Sequence, residues 1–203
     1  MSNEVICIKK LRKLPSNSAL RIISGTHRGK QLQPFPGKKI RPTGDRLREA
    51  IFNILSDRVH LAVVLDLFAG TGALGIEALS RGAYTATFIE KDNVAVSIRR
   101  ENIRSCNLKE KTQVIQWDVL KNLNCIQSIT PRFNLVFIDP PYQKDMLRPT
   151  LQQIHDSRAL QNKAYLVVEH SRFDVIPNTV EAFHLKDERK YGKTLVSFLE
   201  YVI

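Results

Sequence analysis

Val63-Val64-Leu65-Asp66-Leu67-Phe68-Ala69-Gly70-Thr71-Gly72-Ala73-Leu74-Gly75 is the stretch that decides the fold. Residues 62–65 are an apolar run of strand type, and the run ends in a carboxylate, Asp66. The turn Gly70-Thr71-Gly72 follows. Residues 73–80 then carry a helical pattern, with Leu74, Ile76, Ala78 and Leu79 as apolar members. A strand, a tight glycine turn and a helix N-terminus together make the nucleotide-sized site of an open α/β sheet. Glycine lets the backbone approach a ligand closely. The helix start offers N–H groups that have no partner inside the helix. Gly70, Gly72 and Gly75 also satisfy G-x-G-x-x-G, which by itself fits an ordinary βα turn as well as a dinucleotide site. Two carboxylates favour the ligand. Asp66 would be costly to bury without a partner. Glu90 closes the next apolar strand, 86–89, where an acid can accept both hydroxyls of a ribose.

Working outward, residues 84–89, 112–117, 133–138 and 164–168 read as further strands. Asp92 is placed to cap a helix running toward Asn107, and 146–155 reads as another helix. Residues 180–185 and 194–201 read as a closing pair around Tyr191-Gly192-Lys193. Strands alternating with helices imply a mostly parallel sheet with a closing antiparallel strand. Asp66, Glu90, Asp118, Asp139 and Glu169 all stand where strands end. Ligands of open α/β sheets bind outside those ends, so five carboxylates converge on one rim. Upstream, Leu47, Ala50, Ile51, Ile54 and Leu55 make an amphipathic helix over 45–57. Arg46 lies on its polar side, and Arg48 is read as solvated. Residues 20–24 and 30–33 flank a glycine-bounded turn and predict a β-hairpin whose loop carries His27, Arg28 and Lys30.

The charge is segregated. Residues 1–60 hold 13 Lys or Arg against 4 Asp or Glu, whereas residues 61–203 hold 18 against 16. A basic segment ahead of a nearly neutral body points to a polyanion partner. No apolar run approaches the ~20 residues of a membrane span. Cys7, Cys106 and Cys125 lack metal-ligand spacing and read as reduced thiols of a cytoplasmic protein. The expected organisation is a basic tail (1–19), a hairpin-and-helix appendage (20–60) and an α/β domain (61–203).

Asp139-Pro140-Pro141-Tyr142 is the sharpest local signal. Two prolines fix φ and remove two N–H donors, and the residue before each is held extended. The stiff loop suits an exocyclic amino group on a planar base. The Asp139 carboxylate and the Pro140 carbonyl can each accept one N–H, and the Tyr142 ring can stack. A rigid strand-to-helix turn would use the same prolines.

Asp66-x-Phe68-x-Gly70-x-Gly72 with Asp139-Pro140-Pro141-Tyr142 resembles the class I S-adenosylmethionine-dependent amino-methyltransferases. Arg21-Ile22-Ile23-Ser24-Gly25, Arg41-Pro42-Thr43, Arg46-Leu47-Arg48-Glu49, Glu169-His170-Ser171 and Tyr191-Gly192-Lys193-Thr194 narrow the resemblance to the RsmD family of 16S rRNA guanine-N2 methyltransferases. The likeness runs from about Arg21 to the C-terminus and leaves 1–19 outside. It implies a Rossmann-like sheet and S-adenosylmethionine as cofactor. Asp66, Phe68, Ala69, Gly70 and Gly72 would hold the cofactor's methionine part, Glu90 and Lys91 its ribose side, and Asp118 with the Val119 N–H its adenine. Residues 139–142 would hold the target guanine. Arg21, Arg28, Lys30, Arg41 and Arg46 would grip ribosomal RNA, free or in a small-subunit particle. Neither metal nor membrane is implied.

The chemistry agrees with this reading. The guanine amino lone pair is delocalised, so acceptors at Asp139 and Pro140 would favour the positive charge that develops on nitrogen. The base must be unstacked to be reached. Other targets for the same chemistry are another RNA, adenine N6 in DNA or a protein glutamine. A nicotinamide-dependent dehydrogenase would leave the proline loop idle. A non-catalytic RNA-binding assembly factor would leave Asp139 unexplained.

Overall fold

The structure is a computed structural model that describes residues 20–35, 42–141, 146–174 and 181–203. Strand β1 (Val63–Leu67) is followed by α2 (Ala73–Ser80), β2 (Thr85–Glu90), α3 (Asn93–Ser105), β3 (Thr112–Gln116) and β4 (Phe133–Ile138). Helix α4 (Leu147–Ser157), β5 (Leu160–Ser171), β6 (Phe183–Tyr191) and β7 (Thr194–Tyr201) complete the body, and α1 (Pro42–Leu55) precedes it. One seven-stranded sheet has the order β3-β2-β1-β4-β5-β7-β6. The first five strands run parallel, and β7 lies antiparallel between β5 and β6. The strand order reverses between β1 and β4, which opens a crevice at their carboxyl ends.

The alternation of side chains along the strands divides the core into two layers. Val64, Phe88, Phe137 and Val167 face the side covered by α1, α2 and α3. Leu65, Val136, Leu166 and Leu199 face α4 and the 119–126 segment. All five residues of β1 are buried, as expected for a parallel strand covered on both faces. Asp92 caps α3 as expected, its side chain accepting the Ala95 N–H at 2.8 Å.

The N-terminal part departs from expectation in three ways. First, the predicted hairpin is not two strands. It is a turn closed by one isolated antiparallel bridge, Arg21 to Gln31, with Ile22 N–H donating to Lys30 O (3.0 Å). Glu77, inside α2, takes the N–H groups of Ile23 and Ser24 (2.7 and 3.0 Å), so past Ile22 the first arm is paired with a side chain, while Gly29 N–H donates to Ile22 O (2.9 Å) and Leu32 N–H to Leu20 O (2.8 Å) across the turn. Second, Arg48 is buried. Its Nη2 donates to Arg21 O (2.6 Å) and to Asp45 (3.0 Å). Third, the buried stripe of α1 is wider than the spacing predicts, because Phe52 packs on Phe137 with ring centroids 5.6 Å apart. Ile22, Leu32 and the apolar face of α1 thus share one core layer with the sheet.

Candidate functional site

The rim is set by register. Leu67 pairs with Ile89 and Ile138, Ile138 with Val168, and Glu90 with Gln116. The next residues out, Phe68, Asp139 and Glu169, therefore follow one another along the edge, with Glu90 beside Phe68. Three of the carboxylates sit where the sequence expects them, at or just beyond their strands: Glu90, Asp118 and Asp139. The other two do not end a strand. Asp66 lies inside β1, opposite Phe88 and Phe137. Glu169 lies within β5, opposite Val196. Strand pairing simply continues past them.

The glycine loop is held from below. Phe68 (φ 56°), Gly70 (φ 49°) and Gly72 (φ 80°) adopt left-handed backbone, which non-glycine residues rarely do. A Cβ at Gly72 would come within 2.9 Å of Arg99 Cγ, whereas one at Gly70 would meet only the Phe68 carbonyl oxygen, at an ordinary 3.9 Å. Gly72 is thus needed for packing, and Gly70 is the glycine that leaves room for a ligand. Gly75 has a third role, since a Cβ there would come within 2.4 Å of Phe88.

Asp66 is buried, and its Oδ2 accepts the Gly75 N–H at 3.0 Å. Burial raises its pKa to about 7, against the pull of the Gly75 N–H and the Arg99 charge. Arg99, on α3, is fully buried. Its Nη1 donates to Gly70 O (3.2 Å), and its Nε and Nη2 have no hydrogen-bond partner. Desolvation pulls its pKa down, and the Asp66 and Glu90 charges oppose that.

Glu90 is a junction. Oε2 accepts Gly70 N–H (3.1 Å), and Oε1 accepts Lys91 N–H (2.8 Å) and Asp92 N–H (3.0 Å). A carboxylate has about four lone-pair sites, so roughly one remains for a diol. Beyond it lies a cleft of about 280 Å³ lined by Lys91, Gln116, Trp117, Asp118 and Lys121. Asp118 accepts Leu120 N–H (3.1 Å) and faces Lys91 Nζ at 3.7 Å. Val119 is buried beside it.

On the other side of the crevice, Asp139 and Pro141 are exposed and Pro140 is buried. Tyr142 and Arg41 lie outside the described residues. Arg46, Arg28 and Lys30 are exposed, and Arg21 pairs with Asp45 at 3.2 Å. His27 N–H donates to Ser80 Oγ (3.0 Å) at the far end of α2. Arg28 therefore stands about 12 Å of helix rise from the glycine loop, away from the rim.

Sequence reasoning missed Arg99, Asn102 and Glu77. Glu77 carried a signal, since it interrupts the apolar run Leu74-Gly75-Ile76-Glu77-Ala78-Leu79. Arg99 and Asn102 carried none, because polar residues on a helix ordinarily face water. Among the described residues, no group of His, Cys, Asp or Glu could hold a metal, and no helix is long and apolar enough to cross a membrane.

Comparison with known proteins gives the same outline. Residues 20–200 match the family model described as conserved hypothetical protein 95. The chain is 33% identical over 195 residues to ribosomal RNA small subunit methyltransferase D of Haemophilus influenzae, covering 96% of this chain and 99% of that protein. It is 35% identical over 184 residues to the Escherichia coli protein of the same name, covering 89% and 91%. The solved Escherichia coli chain yhhF superposes with a TM-score of 0.80 at 32% identity, covering 91% of this chain and 98% of that one. The open side of Gly70, the remaining acceptor capacity of Glu90 and the cleft at Asp118 fit the cofactor of such enzymes. The chain belongs to the RsmD family of ribosomal RNA methyltransferases.

Proposed function

We propose that this chain transfers a methyl group from S-adenosylmethionine to the N2 amino group of a specific guanosine in small-subunit (16S) ribosomal RNA, in the cytoplasm. One observation carries the reading: the glycine loop and Glu90 share a rim with Asp139-Pro140-Pro141, in adjacent registers across the β1–β4 crevice. Family membership supports it.

S-adenosylmethionine, when bound, supplies an electrophilic methyl on its sulfonium. Phe68, Ala69, Gly70 and Gly72 form the wall for its methionine part, with the Asp66 carboxyl beneath. Glu90 accepts from the ribose through its remaining lone pair, beside Lys91. Asp118 and the Val119 N–H read the adenine. Asp139 and the Pro140 carbonyl accept the two N–H bonds of the guanine amino group. They favour the pyramidal, partly positive nitrogen of the transition state, and Pro141 keeps the loop from folding away. Tyr142 stacks on the unstacked base. Holding nitrogen and methyl in line supplies much of the remaining acceleration.

Residues 20–60, with Arg21, Arg28, Lys30, Arg41 and Arg46, grip the RNA, and the basic 1–19 tail adds phosphate contacts. The exposure of Arg28, Lys30 and Arg46 supports this. The position of Arg28 at the far end of α2 implies a footprint wider than one nucleotide, as an assembled particle would offer. The test is methyl transfer to 16S RNA and to small-subunit particles, followed by mass analysis of nucleosides. N2-methylguanosine is the expected product, and a methylated adenosine would overturn the guanine assignment.

A further inference from the structure

Arg99 and Asn102 stand one turn apart on α3, and both reach the underside of the glycine loop. Arg99 Nη1 takes the Gly70 carbonyl (3.2 Å). Asn102 Nδ2 takes the Thr71 carbonyl (3.0 Å). Asn102 also clasps a second segment. Its Nδ2 donates to the Gln33 carbonyl (3.1 Å), and its Oδ1 accepts the Gln33 N–H (2.6 Å). Asn102 is 1% exposed. Its amide is therefore committed to two loops that are remote in sequence from each other. Displacing either loop would leave a buried polar group unsatisfied, which is expensive.

The rest of the N-terminal segment is anchored elsewhere. Ile23 and Ser24 bond to Glu77, and Thr26 and His27 bond to Ser80. The clasp thus governs only the Gln33 end, the end that meets the glycine loop.

We propose that Asn102 is a positioning residue that fixes the Gln33 end of the N-terminal segment against the glycine loop, so that RNA on the one and cofactor on the other raise each other's affinity. The proposal rests on the reading above, in which residues 20–60 grip RNA and the glycine loop holds S-adenosylmethionine. Two binding sites that share one satisfied amide favour the same arrangement, and such a coupling is reciprocal.

The measurement is calorimetric titration of S-adenosylhomocysteine into the full chain, with and without saturating 16S rRNA transcript. In the wild type, RNA should tighten this ligand by about 5–150-fold, the usual range of site–site coupling. In Asn102→Ala that ratio should fall toward one. Arg99→Met loosens the loop at Gly70 without touching Gln33, so it should weaken the ligand while preserving the ratio. A merely structural role for Asn102 would give it the same behaviour as Arg99. If Asn102→Ala does not fold, Gln33→Pro removes the N–H that Asn102 accepts and leaves α3 intact; it too should lower the ratio. A wild-type ratio of one overturns the inference, and so does an unchanged ratio in the folded Asn102 or Gln33 variant. Wild-type protein that methylates RNA while failing this test leaves the proposed function standing. Wild-type protein that methylates no RNA overturns that function as well.

Discussion

The glycine loop and the proline loop stand side by side on the rim, yet they are held by different means. The glycine loop is shaped by groups from other elements: Asp66 of β1 through Gly75, Glu90 of β2, and Arg99 and Asn102 of α3. The stiffness of Asp139-Pro140-Pro141 is written into its own covalent structure. The difference predicts how each responds to substitution. Damage to the first loop should spread into binding and stability together. Damage to the second should stay in the chemistry.

The sharpest way to break this comparison is Asp139→Ala. It should slow single-turnover transfer about 10²–10³-fold, by analogy with loss of one transition-state hydrogen bond, while cofactor affinity and thermal midpoint hold. Asp139→Asn keeps an acceptor oxygen without the charge and should retain part of the rate. Near-wild-type transfer by Asp139→Ala would reduce the proline loop to a rigid turn.

Glu90→Ala should behave in the opposite way. Losing a charge-assisted hydrogen bond costs roughly 1.5–3 kcal/mol, so calorimetry should show cofactor binding about 10–100-fold weaker. The thermal midpoint should drop in parallel, because the Gly70, Lys91 and Asp92 N–H groups lose their acceptor. Unchanged stability would mean that the junction at Glu90 does not hold the loop.

Asp66 probes the buried side by pH. Its carboxyl titrates near 3.8 when unfolded and near 7 when folded. The folded protein therefore holds more protons across that window, and stability falls as pH rises through it. Asp66→Asn can still accept the Gly75 N–H but carries no charge. It should raise stability at pH 8 by roughly 1–3 kcal/mol, with the gain vanishing near pH 4. A gain that is the same at both pH values would show that Asp66 does not titrate in this range.

The smallest effect is expected from deleting residues 1–19, which hold Lys9, Lys10, Arg12 and Lys13. For every RNA phosphate that the tail no longer neutralises, the salt slope of RNA affinity should flatten by about 0.7–0.9, the single-strand and duplex values. Cofactor affinity should not change. If it falls, the tail belongs with the glycine loop's supports.

Much of this molecule was determined by the sequence alone. Apolar runs alternating with helical patterns specify a parallel sheet, because each strand buried on both faces must be apolar throughout. Pro140-Pro141 specifies its own loop. Asp92 announces its helix three residues ahead of the N–H it accepts. These are local facts, governed by neighbours in the chain. Tertiary structure decided the rest. The sequence cannot say that Asp66 sits within its strand while Asp139 ends one, because that depends on how far the pairing runs. Segment 20–33 has hairpin spacing, but Glu77 accepts the N–H groups of Ile23 and Ser24, so regular strand pairing shrinks to one bridge at Arg21 and Gln31. Arg48, Arg99 and Asn102 read as solvated helix polarity, and all three are buried. Each donates to at least one backbone carbonyl remote in sequence, Arg48 to Arg21, Arg99 to Gly70 and Asn102 to Gln33 and Thr71, and a buried polar side chain is identifiable only once the fold brings such groups within hydrogen-bond reach.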